Sequence, residues 1–176
     1  MRIALGADHA GYRLKEEIKS FLKEKKIDHH DFGTYNADST DFTDWGIKVA
    51  EVVAKNEFKR GILVCGTGLG MCLVANKVPG IRATPCYGIL TARLSREHNN
   101  SNILVLGARI TAKDLALQIV EEWLTAEFMG GRHQGRLKKL AEIEKKYSSR
   151  SSTVSIPATP PYSSTTIARW VLSFWS

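Results

Sequence analysis

Apolar positions in the first 147 residues follow two spacings. Leu14, Ile18, Phe21 and Leu22 recur at i, i+4, i+7 and i+8, and Trp45, Val49, Val52 and Val53 repeat the pattern, so each set lies on one helical face. Between these stretches lie short runs that are apolar throughout: residues 3–6, residues 61–65 (GILVC) and residues 103–106 (ILVL). Strands covered on both faces of a parallel sheet need such runs. Residues 27–32 form a weaker strand, broken by the polar His29 and His30, and residues 81–84 form another. Helices are expected over residues 69–77 and 89–96, and over 114–124 with Leu115, Ile119, Val120 and Trp123 on one face. A last helix is expected over 136–147, with Leu137, Leu140 and Ile143 turned inward.

Strands separated by helices mean βαβ units, which are almost always right-handed. The expected fold is therefore α/β: a Rossmann-like, doubly wound sandwich around a five-stranded parallel sheet. No internal repeat interrupts it. The texture changes at Ser148, where SSRSSTVSIPATPPYSSTT has no periodicity and is rich in Ser, Thr and Pro. Such a segment buries too little apolar surface to offset its ordering entropy, so residues 1–147 are read as one domain and 148–176 as a disordered extension. The closing IARWVLSFWS is apolar but too short to span a bilayer.

Composition narrows the classes. With 43% hydrophobic and 24% charged residues, the chain can bury a real core. It has no membrane-length apolar run, and MRIALGADHAG turns polar too soon for a secretory signal. Three cysteines, an odd count, suit free thiols in a reducing compartment, so a cytoplasmic protein is expected. The net charge is +7, and two arginines in 148–176 supply +2 of it. Lysines at 15, 19, 23, 25 and 26 interleave with Glu16, Glu17 and Glu24, which is a solvated helix face, and no nucleic-acid partner is expected. The modest positive balance suits an anionic ligand.

Four groupings carry chemistry. Cys65-Gly66-Thr67-Gly68-Leu69-Gly70 follows a buried strand and opens a helix. Its glycines let backbone N–H groups converge, and a helix N-terminus adds positive potential, so the loop suits an anion or oxyanion. It is not a dinucleotide fingerprint, since the spacing is G-x-G-x-G and no acid follows at the ribose position. It lacks the Gly-Lys-Ser/Thr of a Walker loop, and Met71 stands where a cysteine phosphatase has arginine. Asp8-His9 follows the first strand, and Asp8 equally suits capping of the next helix. His98-Asn99 precedes the fifth strand. Arg132 and Arg136, four apart around His133, share a face if helical and suit a phosphate dianion. No metal-ligand cluster appears and no cofactor is implied. A base, amide donors, an acid/base pair and a phosphate anchor are what an aldose–ketose phosphate isomerase needs.

Five motifs in order, GADHAGYRLKEEI, ILVCGTGLGM, ANKVPGIRA, SREHNNSNILVLGAR and GGRHQGR, carry a resemblance that covers roughly residues 1–147. The chain resembles the type B ribose-5-phosphate isomerases and their relatives acting on allose and galactose 6-phosphates. The resemblance implies metal-free proton transfer through an enediolate. It implies Cys65 as the base, assisted by Thr67, with His98 and Asp8 opening the sugar ring. It implies substrate contacts from His9, Asn99 and Arg109 and from the amides of Gly66, Gly68, Leu69 and Gly70. Arg132 and Arg136 match the phosphate ligands, and His133 lies among these contacts. A homodimer or homotetramer with sites built from two subunits is implied as well. Phe42 stands where many relatives have tyrosine. Ribose 5-phosphate is the leading substrate. A six-carbon phosphosugar, or a binding module without catalysis, are the alternatives.

Overall fold

The computed structural model describes residues 1–148. The sequence expectation of a disordered extension falls, Ser148 apart, outside the described residues. Met1–Glu144 forms one compact unit. In chain order the elements are β1 (Ile3–Ala7), α1 (Tyr12–Glu24), β2 (His29–Asp31), α2 (Phe42–Ala54), β3 (Arg60–Cys65), α3 (Leu69–Ala75), β4 (Ala83–Pro85), α4 (Ile89–Glu97), β5 (Ile103–Gly107), α5 (Lys113–Thr125) and α6 (Arg132–Ser148). All strand pairs are parallel, in the order β2-β1-β3-β5-β4.

The continuous apolar runs explain the layers. Side chains alternate across a strand, so Ile3, Leu5, Ile62, Val64, Leu104 and Leu106 face one side and pack with α1, α5 and Ala92 of α4. Ala4, Leu63, Cys65, Ile103 and Val105 face the other and pack with α2 and α3. Both faces of the sheet are thus covered, as a parallel sheet requires.

The strand order positions the ligand crevice. From β1 the chain turns to α1 on one face, and from β3 to α3 on the other. The loops after these neighbouring strands diverge and leave a crevice at the carboxyl edge of the sheet. The register pairs Ala7 with Val64, which sets Asp8 beside Cys65 along that edge.

Three expectations are corrected. The strand expected over 81–84 runs Ala83–Pro85, because the Ile81 amide closes the preceding turn on the Val78 carbonyl and the Arg82 amide donates to the Asn102 side chain. The last helix begins at Arg132, not residue 136: Gly130 and Gly131, both at positive φ, complete the turn, and the chain is helical directly after it. Leu140 and Ile143 do not turn inward but are about half exposed. The other helices already fill both faces of the sheet, so among the described residues Leu140 and Ile143 of α6 join no core.

Candidate active site

The turn after β3 is built around its cysteine. Gly68 has φ +86, a left-handed conformation that turns its amide back, and this N–H donates to the Cys65 Sγ at 3.1 Å. The Thr67 hydroxyl accepts from the Leu69 amide at 3.4 Å, and the first turn of α3 begins there. Gly70 lies against the Phe42 ring, which a Cβ at that position would meet at 2.9 Å. Gly66 lies under the Arg109 side chain, and the Arg109 amide donates to the Gly66 carbonyl at 2.9 Å.

Asp8 and His9 border the same turn. The Asp8 amide donates to the Val64 carbonyl at 3.2 Å, and its carboxylate accepts from the Gly11 amide at 2.9 Å, so Asp8 closes the turn before α1, whose own N-cap is Gly11 without a side-chain cap. His9 Nδ1 lies 3.2 Å from the Thr40 carbonyl and 3.3 Å from the Thr40 amide. The Trp45 indole N–H in turn donates to the Thr40 hydroxyl. Further in, the fully buried Lys15 donates to both Asp31 oxygens and to the Thr34 carbonyl. This network ties the end of β2 to the segment whose Gly33 carbonyl and Thr34 amide pair with Ala7. It thereby braces the strand end from which Asp8 projects.

His98 caps the C-terminal end of α4, which runs back against the strands and delivers the chain to the start of β5. His98 and Asn99 therefore lie at the amino edge of the sheet. The His133 ring stacks on His98 with centroids 4.3 Å apart and planes 7° from parallel. The Met129 amide donates to the Glu97 carbonyl and the His133 amide to that of Gly130, so the start of α6 is fastened to the end of α4. Arg132 and Arg136 extend into solvent from this first turn of α6. Burial, then the positive charges of His98, Arg132 and Arg136, push the His133 imidazole below the usual histidine range.

The predicted residues thus form two groups. Asp8, His9, Cys65, Gly66, Thr67, Gly68, Leu69, Gly70 and Arg109 gather at the carboxyl edge. His98, Asn99, Arg132, His133 and Arg136 gather at the amino edge. A five-residue strand, at ~3.3 Å per residue, separates the two edges by roughly 13 Å.

Residues 3–140 match the family model described as ribose/galactose isomerase. The chain belongs to the ribose/galactose isomerase family. It is 56% identical to a solved ribose-5-phosphate isomerase B from Clostridium thermocellum, with a TM-score of 0.83 over 84% of this chain and 99% of that one. A ribose-5-phosphate isomerase B from Mycoplasma genitalium, solved with bound ribulose 5-phosphate, is 41% identical, with a TM-score of 0.79 over 82% of this chain and 97% of that one. The ribose-5-phosphate isomerase B of Escherichia coli is 43% identical over 145 residues, covering 82% of this chain and 97% of that protein.

Within this family fold, sequence reasoning missed the residues that hold the site rather than compose it. The Tyr87 hydroxyl donates to the Thr67 carbonyl at 3.2 Å, bracing the cysteine turn from the loop after β4. The Arg96 guanidinium donates to the Asn100 side chain and to the Ser101 carbonyl, fixing the turn that carries His98 and Asn99. Asn100 has φ +46 in that turn. No helix among the described residues is long and apolar enough to cross a membrane.

Proposed function

We propose that this chain is a ribose-5-phosphate isomerase, interconverting ribose 5-phosphate and ribulose 5-phosphate by proton transfer, with each site completed by a second copy of the chain. The observation that carries this reading is the Cys65 turn at the carboxyl edge beside Asp8, in a fold 56% identical to a ribose-5-phosphate isomerase B.

Starting from the aldose, His98 of one copy donates a proton to the ring oxygen as its bond to C1 breaks. Asp8 of the other copy takes the proton of the C1 hydroxyl. The Cys65 sulfur then removes the proton on C2, and the electron pair moves into the C1–C2 bond. Charge on the resulting enediolate faces the amides of Gly66 to Gly70, where preorganised N–H donors are most effective. The Thr67 hydroxyl passes a proton between the two enediolate oxygens. Return of the Cys65 proton to C1 completes the ketose. Arg132 and Arg136, one helical turn apart, hold the phosphate dianion.

Two features support assembly from two copies. The acid and anchor residues lie on the far edge from the base within one chain. Leu69, Leu73, Tyr87, Leu90 and Ile110, all following the carboxyl ends of strands, are large apolar side chains left exposed. Such exposure marks surfaces that another protein covers.

The test follows ribose 5-phosphate in deuterated water by NMR. The expected result is ribulose 5-phosphate together with deuterium at the exchanging carbon. Binding without exchange would reduce the protein to a binding module, and a higher kcat/KM on a six-carbon phosphosugar would reassign its substrate.

A further inference from the structure

His133 is the one buried side chain of α6, only 4% exposed, and yet its Nδ1 has no hydrogen-bond partner among the described residues. A buried imidazole usually fixes its tautomer through such a bond. Its defining contact is instead the face of His98, parallel within 7° at 4.3 Å. Its neighbours in sequence, Arg132 and Arg136, are exposed on the same turn, so the phosphate-binding face and the buried face of α6 diverge at this residue.

We propose that His133 is a positioning residue for His98: its ring is the flat platform that fixes the plane in which His98 presents its proton to the sugar. The proposal rests on the reading of His98 as the ring-opening acid. Three charged or titratable groups act on His133, namely His98, Arg132 and Arg136, and each opposes a proton there. Burial acts in the same sense, so the surroundings of the platform favour its neutral form. A neutral aromatic face accepts a stacked ring in either state, attracting the cation through its π electrons and the neutral ring through dispersion. A protonated platform would instead repel the acid once it was charged.

Ring opening can be separated from the rest of the reaction by choice of substrate. Ribose 5-phosphate closes through its 4-hydroxyl. Ribulose 5-phosphate has its 5-oxygen esterified, cannot close a five-membered ring on C2, and stays open. Deuterium exchange at C1 of ribulose 5-phosphate therefore needs the base but not the ring-opening acid.

With the full-length assembled protein, His133→Ala is expected to lower kcat from ribose 5-phosphate about tenfold further than it lowers C1 exchange from ribulose 5-phosphate. His133→Phe, which keeps the flat ring but cannot bind a proton, is expected to recover most of the loss. In wild-type protein with labelled histidine, the carbon-bound ring protons of His98 should show an upfield ring-current shift. That shift should persist in His133→Phe and vanish in His133→Ala. Equal loss in both assays, no loss in either, or His133→Phe behaving like alanine would overturn the platform role. So would an unshifted His98 in the wild type, a result that stands even if the alanine variant does not fold. Failure of the isomerase reading looks different: wild-type protein would then show neither turnover nor C1 exchange.

Discussion

The amide of Gly68 reaches back across three residues to the sulfur of Cys65, at 3.1 Å. The thiol is thereby held against the turn that closes the strand, while its Cβ side belongs to the apolar layer under α2 and α3. Cys65→Ala is expected to reduce isomerisation by about 10²–10⁴-fold, the range for loss of a positioned acid–base group, with little change in affinity for the sugar phosphate. Steady-state kinetics and calorimetric titration separate the two effects. Near-normal kcat would remove Cys65 from the base role.

The two edges of the sheet predict complementation. Cys65→Ala and His98→Ala are each expected to be inactive alone. Unfolded together and refolded as a mixture, they form hybrids in which one site carries both lesions and the other carries neither. For random pairing in a two-fold assembly this restores about a quarter of wild-type turnover. An inactive mixture with hybrids demonstrated by mass spectrometry would place all site residues within a single chain.

Gly11 links the Asp8 turn to β3 through backbone contact alone. A Cβ there would lie 2.3 Å from the Val64 carbonyl oxygen and 3.0 Å from the Cys65 nitrogen, so no side-chain rotation relieves the clash. Gly11→Ala should cost about 3 kcal/mol, near the upper end for overpacking, and should reduce turnover by displacing Asp8 from Cys65. Denaturant unfolding with a parallel assay measures both. A variant of unchanged stability would mean that the two loops part freely.

Asp31 makes stability depend on acid. Burial alone would raise its carboxyl, but hydrogen bonds from Lys15, Lys19 and the Gly33 amide outweigh burial and hold it below the usual aspartate value. A carboxyl lower in the folded than in the unfolded chain stabilises fully above the unfolded value, ~4, and loses that contribution as pH falls through the folded value. Asp31→Asn should flatten the fall in stability below about pH 4. It should cost about 3 kcal/mol at neutral pH, because the buried Lys15 then keeps only the more exposed Glu16, at 3.3 Å, as a counter-charge. Unfolding free energies measured from pH 3 to 7 test the sign, and an unchanged acid limb would contradict it.

Much of this was legible in the chain itself. GILVC and ILVL read as strands covered on two sides, and their place in the order put the Cys65 turn at the carboxyl edge. Asp8 was legible for the same reason, as the first residue beyond β1. The stripe of Leu137, Leu140 and Ile143 was legible as an apolar face but not as an exposed one, because periodicity says that a face needs covering and not by what. His133 read as one polar residue between two arginines, since stacking across two helices leaves no trace in spacing. Lys15 was hidden for a similar reason. A lysine among lysines and glutamates reads as solvated, and only the approach of Asp31 and Thr34 explains its burial.

The separation of the Cys65 turn from His98 also bears on how activity responds to dilution. On the two-copy reading, a solitary molecule carries every group needed and can use none of them together. Specific activity should therefore decline once protein is scarce enough for partners to part, and should recover when inert, site-poisoned molecules of the same sequence are added back.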